Sequence, residues 1–256
     1  MELTKDLVRS TVIGQVALVT LSDPARRNAV TQRMRTELIE NFDAVEARND
    51  VGAVVITGEG TAFCAGGDLD ELATAGPDEF RHIYDAFLRV RQSPLPTVAA
   101  VNGPAVGAGL NLALACDVRI AARTARFVGG FLRLGLHPGG GAGWMLTQLV
   151  GPQVAASMLL FDDGLDGEAA AQRGLALRCV EDELVVPEAL LLAGRVVDTP
   201  RELLARLKET LRSAAYLAQF DQALEVELEA QSWSSQQSFF RDRIRSAAAT
   251  AEPEQA

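Results

Sequence analysis

Apolar and polar positions follow two rhythms along the first half of the chain. Residues 11–21 (TVIGQVALVTL) are β-branched and apolar and run into the turn signal Ser22-Asp23-Pro24, which predicts one strand ending in a loop. From Thr31, a good helix N-cap, Met34, Leu38, Phe42 and Val45 recur at helical spacing as far as the Asn49-Asp50 break. The run at 53–57 (AVVIT) reads as a buried strand, so strand, helix and strand predict a parallel βαβ unit. The order recurs with a strand at 97–101, a helix at 109–115 and a strand at 118–121, and a further helix is expected between Pro77 and Gln92. Past about residue 145 the text becomes helical, with Pro187 opening one helix and Ala/Leu/Glu/Arg-rich stretches from 201 to 247. The tail 248–256 is expected to be loose.

Composition narrows the class. A chain of 256 residues suits one α/β domain with an appended helical segment, and 48% apolar residues are too many for a disordered protein. The net charge of −10 argues against nucleic-acid or anionic-membrane partners, which need a positive surface. Cys64, Cys116 and Cys179 show no metal-type spacing, so a reducing, cytoplasmic setting is expected. The first ten residues carry charges of both signs and no apolar run, so neither a signal peptide nor a membrane span is expected.

Candidate chemistry lies in two glycine turns. Residues 61–69 (TAFCAGGDL) follow the strand at 53–57, and Asp68 with Glu71 resembles a capping box that starts a helix just after Gly67. Residues 102–109 (NGPAVGAG) follow the strand at 97–101 and lead into a second helix near Gly109. Free N–H groups at two such junctions can form an oxyanion hole for a carbonyl oxygen. The plain alternative for either turn alone is a packing or capping glycine. A Rossmann site is disfavoured because Leu112 stands where the third glycine belongs.

Together with PARRNA at 24–29, the Cys116-Asp117 pair and GLHPGGG at 135–141, these turns resemble the enoyl-CoA hydratase/isomerase (crotonase) family over about residues 10–195. The resemblance implies an α/β crotonase (ClpP-like) fold of repeated ββα units with C-terminal helices. It implies a core over 1–195 with an acyl-CoA site and a helical segment over 196–256 for assembly into a homotrimer or a dimer of trimers. The oxyanion amides would be those of Gly67 and Ala108. Ala25, Arg26, Arg27, Ala65, Asp68, Leu69, Gly107, Asn111, Phe131 and Gly139 would contact substrate or coenzyme A. No cofactor is expected beyond coenzyme A as part of the substrate, and no metal. The carboxylates Asp68, Asp70 and Glu71 read as helix capping rather than as metal ligands, and Cys64 reads as packing.

The two glutamates that activate water in the family's hydratases fall here at Asn111 and Phe131. Neither residue can act as a carboxylate base, so ordinary water addition is not expected. His137, two residues before Gly139, is the remaining candidate for proton transfer, with loop ordering as its plainer role. The alternative to an enzyme with a different proton-transfer group is a homologue that binds acyl-CoA without chemistry.

Overall fold

The first departure from the sequence pattern comes at the amino end. Residues 11–21 are not one strand: β1 (Val8–Ile13) and β2 (Val16–Leu21) form an antiparallel hairpin that turns at Gly14, where φ is +61°. A glycine accepts this left-handed conformation without steric cost, and a single glycine inside a β-branched run is an easily missed turn. The rest of the first unit follows as expected. In α1 (Gln32–Glu46) the Thr31 side chain accepts from the Met34 N–H, and Met34, Leu38, Phe42 and Val45 are all buried.

β3 (Ala53–Gly58) runs parallel to β2, and α2 (Leu69–Thr74) and α3 (Pro77–Gln92) lie between it and β4 (Thr97–Val101). β5 (Pro104–Val106), α4 (Ala108–Ala115), β6 (Val118–Ala122) and β7 (Arg126–Val128) come next. α5 (Ala142–Leu160), kinked at Gly151-Pro152, leads to β8 (Leu165–Asp166), α6 (Gly167–Gln172), β9 (Arg178–Val180) and α7 (Val185–Gly194). Pro187 sits in the first turn of α7 rather than at its start.

The strands make a six-stranded sheet in the order β1-β2-β3-β4-β6-β9, parallel except for β1, and a three-stranded sheet β5-β7-β8. Every residue of β3 and β4 is buried, which is why both read as continuous apolar runs instead of alternating ones. At the head of β4 the Thr97 N–H and hydroxyl donate to the Asp117 carboxylate at 2.8 and 2.9 Å, and the Asp117 N–H donates back to the Thr97 hydroxyl. That exchange sets the register of β4 against β6.

This computed structural model describes residues 6–214, 217 and 219–251. The chain divides into two compact units after Val197, two residues beyond the boundary read from the sequence. The second unit holds α8 (Arg201–Ala214), α9 (Phe220–Ser235) and α10 (Ser238–Ala251). Within it the Arg206 guanidinium lies 4.0 Å from the centre of the Trp233 ring. The tail expected to be loose from 248 is helical as far as Ala251; residues 252–256, and residues 1–5 of the expected leaderless start, lie outside the described residues. Among the described residues no helix is long and apolar enough to cross a membrane.

Arg119 on β6 carries a structural role that its sequence context did not signal. It is 5% exposed, and it donates to the carbonyls of Leu175 (2.7 Å), Cys116 (2.8 Å), Ala113 (3.3 Å) and Asp117 (3.4 Å). Two of these carbonyls close the carboxyl end of α4, where a cation also opposes the negative end of the helix dipole. Burial pushes the Arg119 pKa below its ordinary value, opposed by the neighbouring Cys116 and Asp117 side chains. Arg119→Met removes one donor from each of those carbonyls and is expected to lower stability by about 3 kcal/mol. Urea unfolding checks this, and an unchanged midpoint would refute the capping role.

Candidate active site

β3 and β4 are parallel neighbours, so their carboxyl ends deliver the two glycine turns to the same edge of the sheet. A backbone bridge joins the turns there: the Cys64 N–H donates to Pro104 O at 3.1 Å and the Val106 N–H donates to Cys64 O at 3.0 Å. Gly109 permits this approach, because a β-carbon on it would overlap the Cys64 carbonyl oxygen. Gly66 has φ +109°, and a β-carbon there would stand 2.9 Å from Val106 O and 3.9 Å from the Ala108 nitrogen. The segments bearing Gly67 and Ala108 therefore lie side by side.

Ala108 is the first residue of α4, and Gly67 sits just before the Asp68 cap of α2. No acceptor among the described residues takes the N–H of either one. Both line one cavity of about 340 Å³, a size suited to a small ligand. The amino end of α4, with its positive dipole, opens onto the same space.

Of the residues expected in the site, Ala65, Leu69, Gly107, Asn111, Phe131, His137 and Gly139 line this cavity together with Gly67 and Ala108. Leu72 of α2, Ile83, Tyr84 and Phe87 of α3, and Leu134 and Leu136 complete most of the wall. Ala25, Arg26, Arg27 and Asp68 do not line it. Ala25, Arg26 and Arg27 are exposed, and Arg26 pairs with Asp68 at 3.6 Å beside a separate open groove. The Arg27 carbonyl accepts from the Ala65 N–H at 2.9 Å, so this loop braces the first glycine turn through its backbone.

Asp68 caps α2, accepting from the Asp70 and Glu71 N–H groups, but the reciprocal half of the expected capping box is not made. Glu71 turns instead to the Gln32 N–H at 2.8 Å and to Arg35 at 3.0 Å, because α1 passes within reach.

Among the described residues that line the cavity there is no carboxylate, and the polar side chains are Tyr84, Asn111 and His137. His137 is exposed, and its Nδ1 lies 2.8 Å from Pro138 O. A carbonyl only accepts, so Nδ1 bears a hydrogen in this contact. Tyr84 was not singled out from the sequence; it is one of two tyrosines, and only the packing of α3 on α4 brings it here.

Fold and site together define a crotonase-fold protein with an apolar ligand cavity at paired glycine turns. The comparisons agree. The enoyl-CoA hydratase/isomerase family model matches residues 12–252. A probable enoyl-CoA hydratase of Mycobacterium tuberculosis is 48% identical over 94% of this chain and 97% of its own length. The 1,2-epoxyphenylacetyl-CoA isomerase of Escherichia coli is 31% identical over 97% of this chain and 98% of its own. The crystal structure of an enoyl-CoA hydratase from a Polaromonas species superposes with a TM-score of 0.89 at 31% identity, covering 96% of this chain and 98% of that one. The chain belongs to the enoyl-CoA hydratase/isomerase family.

Cys64, at the centre of the bridge, is fully buried, and burial pushes its thiol up from 9.0 to about 12. Because the folded pKa is raised, the protonated thiol's contribution to stability is complete below about pH 9 and is lost as pH rises towards 12. At pH 8 burial holds the Cys64 thiol in its protonated form. Iodoacetamide at pH 8 is expected to leave Cys64 unmodified in the folded protein and to alkylate it in urea. Peptide mass spectrometry reads this, and rapid labelling without denaturant would contradict the burial.

Proposed function

We propose that this protein is an enzyme acting on acyl-CoA thioesters, in which the N–H groups of Gly67 and Ala108 stabilise an enolate. The observation that carries this reading is the pair of amides, unpartnered among the described residues, on one apolar cavity whose described lining has no carboxylate. Each such donor contributes about 3 kcal/mol when negative charge develops on the thioester oxygen. His137 is the group proposed to take the α-proton, through Nε2, the ring nitrogen not engaged with the Pro138 carbonyl. The C–H electron pair then delocalises onto the oxygen held by the two amides. With a 3-enoyl thioester the electron pair also reaches the γ-carbon, so protonation there moves the double bond to the 2-position and completes an isomerisation, while protonation at the α-carbon returns the substrate. Coenzyme A enters as part of the substrate, with no further cofactor or metal, in a cytoplasmic setting.

The exposed Phe220, Leu224, Leu228 and Ile244 of the C-terminal unit support the reading of this segment as a subunit contact in a homotrimer or dimer of trimers. Light scattering is expected to give three or six times 27.3 kDa, and a monomer would remove the assembly proposal.

The lack of a carboxylate among the described lining residues also favours a second reading, a homologue that binds acyl-CoA without chemistry. Exchange of α-hydrogen in D2O separates the two, since it requires only enolate formation. Wild-type protein is expected to put deuterium into butyryl-CoA. Ala108→Pro removes one donor at a first helical position that tolerates proline, and should slow exchange about 100-fold. His137→Ala should slow it by at least a similar factor. Binding of butyryl-CoA with no exchange would leave the non-catalytic reading standing and end the catalytic one.

A further inference from the structure

Gly139 has no left-handed φ to require a glycine, yet a β-carbon there would overlap the hydroxyl oxygen of Tyr84. The missing side chain therefore makes room for that hydroxyl. Tyr84 reaches it from α3, half-buried, with its ring against Phe87 at 5.7 Å between centroids. Tyr84 and Gly139 both line the cavity, so the hydroxyl end of the side chain, and not only the ring, stands at the wall.

The hydroxyl bonds to none of the described residues, and unlike Asn111 Oδ1 it is not a buried atom. A tyrosine packed into a protein usually pairs its O–H, so a reachable and unpaired one is left for a ligand. The other polar side chains of the described lining cannot take its place. Asn111 donates Nδ2 to the Gly139 carbonyl at 3.0 Å, and an amide transfers no proton at neutral pH. His137 is already engaged on the proposed reading, as the base at the α-carbon. The remaining lining residues are apolar or glycine.

The position suits the second half of an isomerisation. Asn111 follows Ala108 on α4 by one helical turn, roughly 5 Å, and its side chain holds Gly139, against which the Tyr84 hydroxyl rests. The hydroxyl thus lies along the acyl chain from the Ala108 amide rather than beside the carbonyl. The γ-carbon of a 3-enoyl thioester, three bonds from the carbonyl carbon, extends over a span of that order.

We infer that Tyr84 is a catalytic residue, the acid that protonates the γ-carbon after His137 has taken the α-proton. This inference rests on the acyl-CoA reading above and gives the second proton transfer to a separate group. The tyrosine O–H bond breaks and a C–H bond forms at the γ-carbon. The electron pair held on the thioester oxygen returns through the chain, so that the carbonyl re-forms and the double bond stands at the 2-position. The tyrosinate then takes a proton from water and the His137 imidazolium gives one up, which leaves no net change in protons.

Incubation of the full-length protein with 3-hexenoyl-CoA in D2O tests this. The enolate either goes forward to the conjugated 2-enoyl thioester or returns as substrate deuterated at the α-carbon, and mass spectrometry reads the ratio of the two. Tyr84→Phe keeps the ring against Phe87 and is expected to lower that ratio about 100-fold, the ordinary contribution of a general acid. Looser packing of the wall would slow both outcomes together, and an unchanged ratio overturns the inference. Isotope placement in the wild type is the second measurement. A tyrosine hydroxyl exchanges with solvent, so the product formed in D2O should carry deuterium at the γ-carbon. Retention of the original α-hydrogen there means that one base carries it across, and also overturns the role of Tyr84. Wild-type protein that exchanges the α-hydrogen without forming product overturns this inference and leaves the enolate reading standing. Neither exchange nor product overturns both.

Discussion

Two backbone hydrogen bonds, Cys64 N–H to Pro104 O and Val106 N–H to Cys64 O, hold the candidate site together. Each glycine turn alone is an ordinary strand-to-helix junction whose first amides face whatever lies above. Clasped together, they present amides from two separate chain segments to one cavity. The entropy of bringing them together is largely met by the sheet, since β3 and β4 already pair in parallel and end side by side. What remains is close backbone approach, and that requires glycine at 109.

The asparagines of the flanking motifs serve the same clasp. Asn28 is fully buried; its Nδ2 donates to the carbonyls of Glu59, Ala62 and Phe63, and its Oδ1 accepts from the Asp23 N–H. Asn102 accepts from the Gly58 N–H at 3.1 Å and donates to Gly60 O at 3.0 Å. Both latch the loop between Gly58 and Phe63, the segment that carries the first turn out of β3. These side chains satisfy backbone groups that a buried irregular loop would otherwise leave unpaired.

How much of this was legible in the sequence depends on the range of the interaction involved. Local periodicity located α1 with its four buried residues and the parallel pair β2 and β3, because long amphipathic or fully apolar runs carry their own signal. The hairpin at Gly14 and the strands β5, β7, β8 and β9, two or three residues each, are too short for any period to register. In the site, Asn111, Phe131, His137 and Gly139 were located because each stands at a fixed distance from a glycine motif. Tyr84 and Arg119 were not, since their roles arise from packing between elements distant in sequence: α3 against α4, and β6 beneath the end of that same helix.

The missing glutamates also change the electrostatics of the proposed chemistry. The chain has 34 acidic and 24 basic residues, so an enolate forming inside it meets an unfavourable average field. A carboxylate 4 Å from that oxygen would oppose it by about 4 kcal/mol at an effective dielectric constant of 20, as much as one amide donor contributes. With Asn111 and Phe131 in the cavity wall, none of the described lining residues carries a negative charge. On the proposed reading the site thus gives up the groups that hold and activate water, while anion stabilisation at Gly67 and Ala108 goes unopposed. On that same reading the proton leaves through His137, the exposed imidazole among the described lining residues.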